Sequence, residues 1–424
     1  MGGGESQTRL DEMLRHFDLQ RTHALALIQR HNQLLATLLH ASERTAAPVQ
    51  PATAPELPAG HTPRRGSVVS LFDYARSTPT PPAAVPDNQI FGENDAQARA
   101  RWGRAVDDLL ARFGADDALA INRKYLAGTL FLTAARDALF YFRSQSGVMF
   151  VVCYVGPDHL YAGALEELKH YAGAQSLQIN LMAHEPRVEA LRDAGFSTTP
   201  MGIWQRIQPV VDFTIEGSTM RRLRYLVGKY AKTGSCRTLE YVPGTDADTD
   251  AAICRVIDEW VVLKGQTPPF TVDVKSQVRT GGFGADHRFF LTWRDQALDN
   301  VIVFSRDNLN DGYLMDLEFY GADMPLGGTE FALSEIITLF KTEKRGVVSL
   351  GLTMATGLFE HENGSKDVHT LFEQLRKANY LNGDANAQYK NKYRPITTTM
   401  YLARPKDAGK RKLNDLMLLL GSSN

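Results

Sequence analysis

From about residue 93 to the C-terminus, apolar runs of strand length alternate with amphipathic helical segments, and the order is gone through twice. Strand patterns at 129–134, 138–142 and 148–154 precede a helix at 161–172, a strand at 177–182 and a helix at 186–194. After Val210 come a basic helix at 218–233, a strand at 238–242 and a helix at 248–264. Strands at 288–292, 300–305 and 313–319 follow, then a helix at 328–344, a strand at 347–351, a helix at 367–378 and a strand at 397–403. Alternating strands and helices mark an α/β chain. Two successive units of similar order mark a tandem arrangement, here with boundaries at 93–210 and 211–424. Helices are also expected at 96–112 and 116–127.

The first 92 residues have a different character. Met13, Leu14, Phe17, Leu25, Ile28, Leu35 and Leu39 recur at three- and four-residue steps. They predict a helix over 8–41 whose apolar stripe needs a partner, so 1–45 reads as a docking or dimerisation segment. Residues 46–92 are rich in Pro, Ala and Thr and predict a disordered linker that cannot build a core. Within it, Arg64-Arg65-Gly66-Ser67 reads as a basic phosphoacceptor site or as part of a short docking segment.

Of the 424 residues, 43% are hydrophobic, enough for a core without covalent staples. Cys153, Cys236 and Cys254 lie far apart with no CxxC spacing, which argues against a disulfide framework or zinc site and fits a reducing cytoplasm. A net charge of -1 excludes a polycation, so any nucleic-acid contact must come from a local patch. No stretch of 18 uninterrupted apolar residues and no signal pattern is present, so neither a transmembrane helix nor secretion is expected.

Several residues carry candidate chemistry. Asp316 stands between apolar residues of a strand, and Glu318, two residues on, shares its face if the strand is regular. Lys390 and Lys392 share a face if their segment is extended, and their heads then suit phosphates of a tRNA terminus or an acceptor. Arg221, Arg222, Arg224, Lys229, Lys232 and Arg237 fall in a stretch without an acid, a candidate phosphate track that reads equally as a solvated helix face. Arg404, Lys406, Lys410, Arg411 and Lys412 form a second basic group. Gly327-Gly328 precedes a helix, where free N–H groups suit an anion such as the pyrophosphate of coenzyme A, but the pair reads also as a turn. His287, His361 and His369 lack metal-ligand spacing. No Ser-His-Asp or Cys-His arrangement stands out, and no cofactor is implied.

Several stretches resemble, in order, the C-terminal domain of bacterial phosphatidylglycerol lysyltransferases. They are Leu191-Arg192-Asp193-Ala194-Gly195-Phe196, Val211 to Gly217 with Met220 to Arg224, and Ile257-Asp258-Glu259-Trp260 with Lys264-Gly265. Tyr313 to Leu317, Val348 to Leu352, and Tyr389 to Pro395 with Tyr401-Leu402-Ala403 complete the set. The resemblance implies a tandem acetyltransferase-like (GNAT) fold that moves an amino acid from aminoacyl-tRNA to a hydroxyl or amine of a lipid, small molecule or carrier-bound acceptor. It implies Asp316, Glu318, Lys390 and Lys392 as catalytic residues, with tRNA on Arg221, Arg222, Arg224, Lys229 and Lys232. The chain departs from the pattern at Glu318, where the family has Met, and at Phe319, where it has Arg. The membrane-embedded half of lipid-modifying members is also missing. Two other readings therefore stand beside the first: an acyl-CoA or acyl-carrier-protein acyltransferase, and a non-catalytic interaction module. Separately, Phe17 to His23 and Leu27 to Leu35 resemble helical linkers of modular polyketide synthases, which implies docking beside an assembly line; a self-associating helix pair reads as well.

Overall fold

The computed structural model describes residues 88–409 apart from 116, 122, 124–127, 266–267, 269, 355–364 and 378–382, together with 413 and 416. The expected N-terminal helix, residues 46–87 of the expected linker with Arg64 to Ser67, half of the helix at 116–127, His361 and Lys410 to Lys412 lie outside the described residues.

Twelve strands form one sheet. They are β1 (Gln89–Gly92), β2 (Thr129–Leu132), β3 (Leu139–Gln145), β4 (Val148–Val155), β5 (Gln178–His184), β6 (Phe196–Ile207), β7 (Cys236–Tyr241), β8 (His287–Arg294), β9 (Ala297–Asp307), β10 (Gly312–Tyr320), β11 (Val348–Thr353) and β12 (Ile396–Pro405). Their order across the sheet is β1-β2-β3-β4-β5-β12-β6-β11-β10-β9-β8-β7. Every pairing is antiparallel except β4 with β5 and β10 with β11. The chain's last strand, β12, lies beside β5, whereas β6 lies beside β11, so the two strands have changed places between the halves of the sheet. Residues beyond 210 therefore belong also to the core of the earlier half: Val368, Phe372, Leu402, Leu413 and Leu416 pack with Leu130, Leu132, Leu139 and Val148.

Nine helices among the described residues cover the sheet: α1 (Ala96–Phe113), α2 (Tyr161–Ala174), α3 (Val188–Asp193), α4 (Arg221–Tyr230), α5 (Ala247–Lys264), α6 (Phe270–Thr280), α7 (Gly328–Thr342), α8 (Lys366–Lys377) and α9 (Gly383–Asn391). Their ends follow local chemistry. Asp95 caps α1 by accepting from Gln97 N and Ala98 N at 3.0 Å each, and Asp246 caps α5 by accepting from Thr249 N at 3.1 Å. Gly265 ends α5 in the left-handed conformation, φ 64°. β4 is buried along its whole length, as expected of a Val-rich strand covered on both faces.

The two parallel pairs separate after a short contact. β4 and β5 pair from Val148/Gln178 to Val151/Leu181. β10 and β11 pair only at Tyr313/Val348 and Leu314/Ser349. Beyond those points backbone groups on facing strands no longer bond each other, and each splay opens a notch in the sheet. Each notch also carries a bulge. The β3–β4 register skips Val152, between Val151 and Cys153, and the β9–β10 register skips Asp316, between Met315 and Leu317. Four features depart from expectation. β1, Gln89–Gly92, is a strand paired with β2, although 46–92 reads in the sequence as a disordered linker. β6 and α6 had no expected element, and Lys390 lies on a helix, α9, rather than in an extended run.

Candidate functional site

A cavity of about 330 Å³ lies where the two splays meet. β4 and β5 contribute Val152 and Met182; β10 contributes Leu314, Met315, Asp316 and Glu318; β11 contributes Leu350, Gly351 and Leu352. Trp204 of β6, Asn386 and Lys390 of α9, and Asp117, Ala120 and Arg123 from the segment after α1 complete the wall.

Asp316 occupies the bulge of β10. Its Oδ2 accepts from Ser305 Oγ at 2.7 Å and from the Ile121 backbone N–H at 2.5 Å, which ties the 117–123 segment to the sheet. The bulge breaks the two-residue alternation, and this corrects the expectation that Asp316 and Glu318 share one strand face. Met315 packs with Ile302 and Phe304, whereas Leu317 and Phe319 pack with Val301 and Val303 on the opposite face. Glu318 accordingly turns to the first turn of α7, where the Thr329 side chain hydrogen-bonds to it. Both carboxylates still reach the cavity, from opposite sides of the bulged strand. Burial pushes the Glu318 pKa up to about 7; the Thr329 hydrogen bond and the charges of Lys264 and Lys390 oppose the rise, and Glu330 adds to it.

Lys390 is buried, 4% exposed, with Nζ donating to Thr353 Oγ1 at 2.9 Å, Leu352 O at 3.3 Å and Gly351 O at 3.4 Å. It staples α9 to the separated end of β11 and leaves a positive charge in the cavity wall. Burial lowers its pKa to about 8, against the pull of Glu318. Lys392 lies two residues on, just past the end of α9, in an ion pair with Glu330 at 2.5 Å. The two lysines thus do not share an extended face, and both heads are engaged by protein acceptors, because the segment is helical through Asn391.

On the other side of the cavity, Arg123 pairs with Glu93 at 2.7 Å and lies 3.9 Å over the Tyr141 ring. Asp117 stands 3.8 Å from His184 Nε2. Burial works against the Asp117 charge, but the contact with His184 and the field of Arg187 outweigh it and leave its pKa below the usual value. Trp204 donates from Nε1 to Ser349 Oγ at 2.8 Å and meets the His184 ring edge-on. These residues escaped the sequence reading because each stands alone in its segment; only the fold brings them to Asp316.

Among the basic residues of α4, Arg221, Arg222 and Lys229 are exposed, as is Lys232 just beyond it. Arg224 differs: its Nη1 donates to Ile215 O at 2.6 Å and Gly217 O at 2.7 Å, so it braces the loop before the helix. Gly327 is required by close packing. Its φ is +99°, and a Cβ there would stand 2.2 Å from Leu226 O of α4. Gly328 likewise faces Met324, whose Sδ would lie 2.6 Å from an added Cβ. Phe319, where the resembled pattern has Arg, is buried against Trp260 with ring centroids 5.3 Å apart, so the substitution serves the core.

Residues 119–404 match the family described as phosphatidylglycerol lysyltransferase, C-terminal. The fold resembles a C-terminal domain assigned to a lysylphosphatidylglycerol synthetase of Agrobacterium fabrum, at a TM-score of 0.60 and 15% identity over 76% of this chain and 97% of that one. It also resembles the L-PGS of Bacillus licheniformis, at 0.61 and 15% identity over 75% and 94% of the two chains. A conserved protein of Bacteroides thetaiotaomicron follows at 0.52 and 13% identity over 71% and 96%. A comparison with curated proteins gave no match. Among the described residues no helix is long and apolar enough to cross a membrane. With a tandem GNAT-like fold and a family match over 119–404, the chain belongs to the family of the phosphatidylglycerol lysyltransferase C-terminal domain.

Proposed function

We propose that this protein moves an aminoacyl group from aminoacyl-tRNA to a nucleophilic acceptor, with the transfer taking place in the cavity at the β10/β11 splay. The observation that carries the reading is the placement of Asp316 and Lys390, from two different motifs of the resembled pattern, around one cavity together with Glu318. An aminoacyl ester is already activated, so the protein's work is positioning and charge stabilisation rather than covalent catalysis. Asp316, its Oδ2 fixed by Ser305 and Ile121, is placed to hold the donor's α-ammonium. Lys390 supplies positive charge for the oxyanion that develops as the acceptor adds to the ester carbonyl. The ester C–O bond then breaks, and the ribose oxygen leaves with a proton. Arg221, Arg222, Lys229 and Lys232 form the phosphate-binding track for the tRNA, in agreement with their exposure. The packing that explains Gly327 and Gly328, and the carboxylate at the start of α7, weigh against a coenzyme A pyrophosphate there.

The test is filter binding and transfer with total tRNA charged with mixed radiolabelled amino acids. Salt-sensitive retention of one charged species, followed by protein-dependent loss of its label, is the expected result. Asp316→Ala should lower turnover by about 100-fold or more while leaving the far-ultraviolet circular dichroism unchanged. If no charged species is retained, the tRNA donor is wrong; if Asp316→Ala loses fold and activity together, the carboxylate is structural.

A further inference from the structure

We propose that the acceptor is a primary amine, received as its ammonium by Glu318. This rests on the cavity being the transfer site, and it names the acceptor class that the cavity's charge admits.

The wall carries three carboxylates, Asp117, Asp316 and Glu318, against two cations, Arg123 and Lys390. Both cations already have partners within the protein. Arg123 pairs with Glu93 and also donates from Nε to Ala118 O, and all three Lys390 protons have acceptors in Gly351, Leu352 and Thr353. An anionic acceptor such as a phosphodiester therefore meets more carboxylates than cations, with the field of Lys390 taken by the developing oxyanion. A cationic one meets the reverse, in a low-dielectric setting where charge matters most.

Two carboxylates on opposite sides of the β10 bulge suit two cations. The ester donor brings an α-ammonium to Asp316, which leaves Glu318 for the second. Thr329 orients Glu318, and a carboxylate has lone pairs enough to take a further donor. A carboxyl poised near neutral pH is matched to relaying the proton of a nucleophile. Trp204, Met182, Leu314 and Leu352 offer apolar surface to a carbon stem attached to that amine. The resembled family pattern has Met at position 318, so this charge is a departure of the present chain and changes the surface that the acceptor meets.

The proton balance closes. The bound ammonium loses one proton to solvent and becomes the free amine. Its nitrogen forms the C–N bond to the ester carbonyl as the C–O bond to the ribose breaks. The second proton passes from nitrogen to Glu318 and on to the departing ribose oxygen. The products are an amide and an uncharged tRNA, with no oxidant or further reactant.

The experiment compares n-hexylamine, 1-hexanol and n-hexyl phosphate by isothermal titration against the full chain at pH 8 and pH 6. Hexylammonium should bind about tenfold or more tighter than either analogue at pH 8, the size of one charge-assisted hydrogen bond. The preference should weaken at pH 6, as Glu318 takes up its proton, and vanish in both Glu318→Gln and Glu318→Met. Equal affinity for the three probes, or an unchanged preference in folded Glu318→Gln, overturns the proposal. In parallel, labelled charged tRNA and hexylamine should yield a labelled hexylamide, and phosphatidylglycerol vesicles should take up less label. Faster labelling of the vesicles than of the amine also overturns it. Failure of every charged tRNA to lose label to any acceptor overturns the transfer reading itself, and is told apart because the binding preference needs no tRNA.

Discussion

Glu318→Gln should make the protein more stable at pH 8 and leave it unchanged at pH 4.5 or below. The carboxyl's folded pKa of about 7 exceeds its ordinary 4.5, so ionising it costs the folded state more than the unfolded one. The sign follows directly. Below 4.5 the group is protonated in both states and costs nothing. Between 4.5 and 7 the unfolded chain ionises first and stability falls. Above 7 the whole penalty is present, about 3 kcal/mol at ~1.4 kcal/mol per pH decade. Removing the charge also removes a favourable field at Lys390, whose own pKa burial lowers to about 8. That attraction is already among the causes that set the Glu318 value, so the net stabilisation expected at pH 8 stays at about 3 kcal/mol. Paired thermal unfolding scans of wild type and variant at pH 8 and pH 5 would show this as a rise of a few degrees at pH 8, shrinking toward pH 5. A variant less stable than wild type at pH 8 would refute the reasoning, since Glu318 would then be a satisfied structural carboxylate. Greater stability together with lost transfer is the signature of a group kept for function at the expense of the fold.

Glu330→Ala should destabilise the protein by about 3 kcal/mol, because it strands the Lys392 ammonium in a largely buried ion pair; thermal unfolding of the two single variants and the double variant checks this, and the double should cost less than the sum. Gly327→Ala places a Cβ 2.2 Å from Leu226 O at a φ of +99°, and should cost about 2 kcal/mol or more while moving Thr329 away from Glu318; a lower melting temperature and a lowered kcat are expected together. Arg221→Ala with Arg222→Ala should reduce the salt slope of tRNA binding by about 1–2 without changing the melting temperature. Arg224→Ala should instead lower the melting temperature by loosening the 215–217 loop, as its hydrogen bonds indicate.

The α/β order and the tandem architecture were legible because the strands and helices are long and periodic: β4, α5 and β10 fall within two residues of where their patterns place them. β6 was not legible. Its run Phe-Ser-Thr-Thr-Pro-Met-Gly-Ile-Trp-Gln-Arg-Ile has no clean alternation and includes Pro and Gly, yet it is strand because β12 and β11 flank it. α9 was missed because Gly-Asp-Ala-Asn-Ala-Gln-Tyr-Lys-Asn has weak amphipathicity, and with it went the true placement of Lys390. The one-residue slip at Asp316 is invisible to any rule of alternation, since it depends on how β9 pairs with β10. Asp117 and Arg123 lie far upstream of Asp316, and the Ile121 N–H bond that joins their segment to it spans 195 residues. Motif order found the second half of the cavity, and only the fold supplies the first.

The exchange of β6 and β12 constrains how substrates reach the site. β12 pairs with β6 along its whole length, from Ile396/Arg206 to Pro405/Phe196, and the two strands connect β5 to β11. Opening the cavity by swinging one half from the other would break that central ladder. In the proposed reaction, donor and acceptor therefore enter along the sheet faces into a site already formed, the condition under which fixed charges contribute most to a transition state. The bulges then divide the labour. Just beyond the last parallel pair, the first half offers Val152 and the second offers Asp316. Equivalent places in the two notches thus carry an apolar wall on one side and a carboxylate on the other. The bulge of the first notch carries Val152 rather than a polar residue. In the proposed transfer, the part of that notch is to confine the substrates held by Asp316, Glu318 and Lys390.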